Sequence, residues 1–155
     1  MLTRGPQLVI DYVQAKKNVI SGSGATRTLN ENESGSVVLF DRAAGIVYTL
    51  PTAKPGMFFD FHVTTTITSN AAKIITSAGT ELLIGGYTNV DTDTSNAVAV
   101  FDANGSTHVA VSMNGTTTGA IAGTHLRFTC LSSTRWLVEG LVRGSGVVAT
   151  AFATS

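Results

Sequence analysis

Charge is what this chain has least of: Asp, Glu, Lys and Arg together make up 13% of its 155 residues, about half of the roughly 25% usual in soluble domains. The ten basic residues balance the ten acidic ones, and formal net charge at neutral pH is zero. With no long-range field to draw it toward nucleic acid or an anionic membrane, neither is expected as a partner. A surface so poor in charge is finished with Thr, Ser, Asn and Gly, which suits strands, turns and faces that a partner covers. Cysteine is nearly absent. Cys130, the single one, excludes an intramolecular disulfide and a multi-cysteine zinc site, and its place in the alternating stretch 126–131 predicts a buried, inert thiol. Long apolar runs are missing too: no window approaches the roughly 18 residues of a membrane helix. The first residues lack a basic region followed by an apolar run, so use without Sec export is the expectation. Three sequons, beginning at Asn32, Asn104 and Asn114, then read as turn sequences.

Catalytic signatures are equally scarce. The three histidines, His62, His108 and His125, fall in separate predicted strands, and none is spaced to share a metal with another along one element; a metal centre would need tertiary convergence. Gly22-Ser23-Gly24 is too short for a nucleophile elbow, and no Gly-Lys-Ser or Gly-Lys-Thr closes a phosphate loop. Glu31 and Glu33 sit in a polar turn, too solvated for tuned acid-base chemistry. Asp91, Asp93 and Asp102 space oxygen atoms like a calcium loop, but Asn96 replaces the turn glycine, Asp102 replaces the bidentate Glu, and Val98 and Val100 alternate as a strand. An acidic loop is the expectation there. Trp136 is expected in the core or at a subunit interface rather than stacked on a sugar. No enzyme, cofactor or metal is therefore expected.

What the sequence does have is a period of two. Val37 and Leu39, then Ile46, Tyr48 and Leu50, alternate with smaller or more polar neighbours around a turn at Ala43–Gly45, which predicts a hairpin. Met57, Phe59, Phe61, Val63, Thr65 and Ile67 line one face of a long strand whose other face carries Phe58, Asp60, His62 and Thr64. The segment from Glu81 to Asn96 reads as an excursion. Asn104-Gly105, between strands at 97–102 and 107–113, has the composition of a tight hairpin turn, and Asn114-Gly115 offers the same chemistry. Leu126, Phe128 and Cys130, then Trp136 and Val138, then 147–152 complete the pattern. The prediction is an all-β, antiparallel sandwich or barrel-like domain, tulip- or jelly-roll-like, of roughly eight to ten strands over residues 25–155. Residues 1–24 are expected to form an N-terminal arm ending in a flexible hinge at Ser21–Gly24.

The phrases Ser36-Val37-Val38-Leu39, Gly45-Ile46-Val47-Tyr48-Thr49-Leu50-Pro51 and Pro55-Gly56-Met57-Phe58-Phe59-Asp60-Phe61, with Gly123-Thr124-His125-Leu126-Arg127-Phe128 and Thr134-Arg135-Trp136-Leu137-Val138-Glu139-Gly140, carry a resemblance in texture. Over most of residues 36–140 the chain resembles small β-rich virion proteins of tailed bacteriophages, capsid decoration (cement) proteins above all. That resemblance implies a homotrimer on the outer surface of the head that binds the major capsid protein, with the arm as a strap. Leu8, Val9, Ile10, Tyr12 and Val13 would supply its apolar contacts by strand addition, and Lys16 and Lys17 a charged rim. A trimeric tail fibre, spike or glycan-binding module shares the composition. Fibres tend to repeat short β units, and no internal period is evident in the sequence.

Overall fold

The computed structural model describes residues 17–94 and 97–155. Their twelve strands are β1 (Val19–Ile20), β2 (Thr26–Thr28), β3 (Val37–Phe40), β4 (Ile46–Thr49), β5 (Phe58–Val63), β6 (Ala72–Ile75), β7 (Leu82–Asp91), β8 (Val98–Asp102), β9 (Ala110–Met113), β10 (His125–Ser132), β11 (Arg135–Gly144) and β12 (Phe152–Ala153). A large sheet of seven strands runs β1-β3-β5-β10-β11-β7-β8, and a small sheet of five runs β12-β9-β6-β4-β2. The two bury a common core, so the domain is an all-β sandwich. Among the described residues no helix is long and apolar enough to cross a membrane.

Pairing within the sheets is mixed rather than purely antiparallel. β1, β3 and β5 run parallel in the large sheet, and β2, β4 and β6 run parallel in the small one. From β1 to β6 the chain therefore crosses the sandwich at every turn, stacking three rungs, each with one strand in either sheet. The hairpin expected over 37–50 is instead an arch: β3 and β4 face each other through the core. Val38 and Phe40 point inward against Ile46 and Tyr48, whereas Val37 and Leu39, expected on the apolar face, stay partly exposed. The Tyr48 hydroxyl spans the layers by donating to the Leu39 carbonyl at 2.8 Å.

Antiparallel strands close the stack. β10 pairs with β5 and with β11 in the large sheet, and β9 pairs with β6 in the small one. The segment expected as an excursion is a ten-residue strand, β7, parallel to β11 over its whole length. Gly85 and Gly86 blur its alternation, and both are needed. Gly85 has a φ of +80°, and a Cβ on Gly86 would collide with the Phe101 carbonyl of β8. Asn104-Gly105 likewise does not join a hairpin, because β8 lies in the large sheet and β9 in the small one. The Asn104 side-chain oxygen accepts from the backbone N–H groups of Ser106, Thr107 and His108 at 3.0, 2.9 and 3.2 Å, turning the chain from one sheet to the other. The last predicted strand shortens to Phe152–Ala153, leaving Val147 88% exposed.

The core is aromatic at its centre. Phe40, Tyr48, Phe61 and Phe128 interlock at centroid separations of 5.1 to 6.2 Å, with Trp136 fully buried beside Phe59. Cys130 is buried, and burial pushes its thiol pKa up, which makes it the poorly reactive group expected from its position. Ile20 of β1 belongs to the same core. The segment after it is held by the Gly22 N–H, which donates to Asp41 Oδ1 at 3.0 Å.

Candidate functional site

With the apolar residues of β5, β10 and β11 committed to the core, their alternate residues form an outer face where much of the chain's scarce charge collects. Register sets the rows: Asp60 of β5 lies opposite Arg127 of β10, which lies opposite Glu139 of β11. The Arg127 guanidinium grips Asp60 with two bonds, Nε to Oδ1 at 2.5 Å and Nη2 to Oδ2 at 2.9 Å. Lys17 Nζ adds a third at 2.5 Å. Both cations also stand over the Phe58 ring, 5.1 and 5.5 Å from its centroid, so the aromatic face and the carboxylate hold them jointly. The Arg127 hydrogen bonds lead in drawing the Asp60 carboxyl from 3.8 to about 2, burial opposes them, and Lys17 adds to the lowering.

One residue pair further along, His62 lies directly opposite His125, the rings stacked with centroids 6.0 Å apart and planes 20° apart. Burial, and then the neighbouring His125, lowers the His62 pKa, which Asp60 partly offsets. The two histidines, Asp60, Arg127 and Glu139 line a shallow groove of about 410 Å³. Sequence spacing gave no sign of this meeting, since the histidines are brought together only by the pairing of β5 with β10. His108 stands apart: it stacks on Phe152 at 5.4 Å and accepts the Asn104 N–H on Nδ1 at 3.0 Å.

The other feature of this sheet is its edge at β8. Among the described residues β8 pairs with β7 alone and ends the sheet, and it presents Val98 and Val100 at 64% and 68% exposure. Edge strands in soluble proteins are commonly blunted by Lys, Pro or a bulge; from Val98 to Phe101, β8 carries neither charge nor proline.

Of the residues expected at a partner contact, Leu8, Val9, Ile10, Tyr12, Val13 and Lys16 lie outside the described residues. Lys17 is described, and its ammonium is engaged with Asp60. Glu31 and Glu33 are held in ion pairs, Lys54 with Glu31 and Arg27 with Glu33, both at 2.5 Å, and Glu33 also caps the Asn30 N–H at 2.8 Å. The calcium-like spacing does not form a loop: Asp91 ends β7, while Asp102 lies opposite Gly86 near the other end of the β7–β8 pairing. Asp93 instead accepts the Gly146 N–H at 2.9 Å. Among the described residues no group of three or more His, Cys, Asp or Glu side chains converges as a metal centre. No protein-family model matches the chain, and neither a curated protein nor a solved structure matches it.

Proposed function

We propose that this chain is a non-enzymatic structural subunit of a phage virion that docks on the outside of the head and stabilises the capsid lattice. The observation that carries the reading is the β8 edge: a proline-free strand, uncharged from Val98 to Phe101, with two exposed valines and no second strand paired to it among the described residues. Main-chain bonds along such an edge supply affinity, and pockets for alternate side chains supply selectivity. The proposed occupant is an extended segment of the major capsid protein, with copies of the chain assembling as a trimer. The low charge and the resemblance in residues 36–140 point the same way. Binding that favours the assembled lattice stabilises it by mass action, without chemistry, and many copies multiply a small contact energy.

A second reading, a tail fibre or spike module, gains support from one observation. The three parallel rungs of β1 to β6 are a short stack of repeated β units, the architecture of an extended shaft. Cosedimentation distinguishes the two. Pelleting of the full chain with undecorated phage heads at a saturating, fixed ratio supports the head reading. Failure of folded protein to pellet with heads overturns it and leaves the fibre reading in place.

A further inference from the structure

The histidines that lie far apart in sequence are held in a geometry with chemical meaning. Val63 donates its N–H to the Thr124 carbonyl and accepts the Gly123 N–H on its own carbonyl, both at 2.9 Å, so the hydrogen-bonded step of the ladder falls at Val63. By the alternation of antiparallel pairing, the next pair, His62 and His125, is non-hydrogen-bonded, the class in which facing side chains approach most nearly. Their ring centroids are 6.0 Å apart. An ion bonded to one nitrogen of each ring at about 2.0–2.1 Å would hold the centroids about 5 to 6 Å apart. As they stand the rings are stacked, so the two imidazoles share an ion only after the rings turn about χ2.

We propose that His62 and His125 form a two-imidazole binding site for a divalent transition-metal ion of the Zn²⁺, Ni²⁺ and Cu²⁺ class, open to the groove they line. Imidazole selects these ions over Ca²⁺ and Mg²⁺, which take oxygen ligands. The local charges permit a dication. Lys17 and Arg127 both bond to Asp60, which leaves one net positive charge among the three, and the Glu139 carboxylate opposite Arg127 offsets it. Glu139, exposed on the neighbouring strand and lining the same groove, offers an additional carboxylate. Burial and the adjacent imidazole favour neutral His62, the form that binds metal. Two protein ligands leave the remaining positions to water, so the site is open and of modest affinity, and a docking partner could supply a further ligand.

The test is isothermal titration of the full chain with ZnCl₂ near neutral pH, alongside His62→Asn, His125→Asn and, as a control, His108→Asn. Each variant's fold is checked by circular dichroism. The expected result is one saturable site per chain that His108→Asn leaves unchanged. His62→Asn and His125→Asn should each weaken it by at least about tenfold, a loss that even outer-shell partners of a metal produce. A wild-type chain with no saturable isotherm, or folded His62→Asn and His125→Asn variants that titrate like the wild type, overturns the proposal. The readout does not involve phage heads, so its outcome is independent of the docking reading.

Discussion

Asp60 and Arg127 face each other across β5 and β10, and the guanidinium holds the carboxylate through two nitrogens while Lys17 closes from the side. The folded-state pKa of Asp60, about 2, lies below its ordinary 3.8, so the stabilisation is full above the unfolded value and disappears as pH falls toward 2. A displacement of that size corresponds to about 2 kcal/mol. Because the Arg127 and Lys17 side chains are 44% and 47% exposed, screening reduces it to about 1 kcal/mol. Asp60→Asn is predicted to lower the unfolding free energy at neutral pH by that amount, with the difference from wild type shrinking toward zero as pH falls through 2. Urea titrations at the two pH values check both parts.

Glu81 is a buried carboxylate that ties two loops together. Its Oε1 accepts from the Ala53 N–H and from the Ser77 hydroxyl, both at 2.9 Å. Glu81→Ala leaves the Ala53 N–H buried without an acceptor and is predicted to cost about 1–3 kcal/mol. Glu81→Gln keeps an acceptor oxygen and should cost less than half as much. Equal losses in the two variants by chemical denaturation would contradict this role.

Gly115 and Gly56 share a positive φ, +85° and +94°, but not their surroundings. A Cβ on Gly115 would strike the Ile67 carbonyl, whereas a Cβ on Gly56 meets nothing within 4 Å. Gly56→Ala should therefore cost only the left-handed penalty of about 1–2 kcal/mol, and Gly115→Ala should add an overpacking cost of about 1–3 kcal/mol. The ordering of their melting temperatures is the check.

Asn104 and Asn114 precede glycines, the pairing most prone to deamidation because the following amide nitrogen can attack the side-chain carbonyl carbon. In the fold both carboxamides are immobilised. Asn104 Oδ1 accepts three N–H bonds, and Asn114 Oδ1 accepts the Thr116 and Thr118 N–H groups at 2.9 and 3.1 Å. Mass spectrometry after incubation at mildly alkaline pH should find both asparagines intact in folded protein and converted in urea. Equal conversion in the two samples would show that the turns give no protection.

The period of two in the sequence was enough for the sandwich. Met57, Phe59, Phe61 and Val63, and Leu126, Phe128 and Cys130, occupy the buried face that their alternation predicts. What alternation could not decide was pairing. A hairpin and an arch have the same local signals, two alternating runs around a glycine turn, and differ only in whether the second strand bonds to the edge of the first or faces it through the core. In the run Val37-Val38-Leu39-Phe40 both faces are apolar, so the choice of Val38 and Phe40 as the buried pair came from packing against Ile46 and Tyr48 rather than from composition. The charged rows and the histidine pair were invisible for the same reason: they depend on the register of β5 with β10, strands more than sixty residues apart in sequence.

The proposed docking runs through β8, at the edge of the large sheet, onto a phage head. Cryo-electron microscopy of undecorated heads mixed with the full chain, and separately with a Val98→Lys, Val100→Lys variant of unchanged melting temperature, tests it most directly. Regular added density is expected on the outer surface with the wild type, with β8 at the contact, and its loss with the variant. Bare heads in the presence of folded wild-type protein, or equal decoration by the variant, would contradict it.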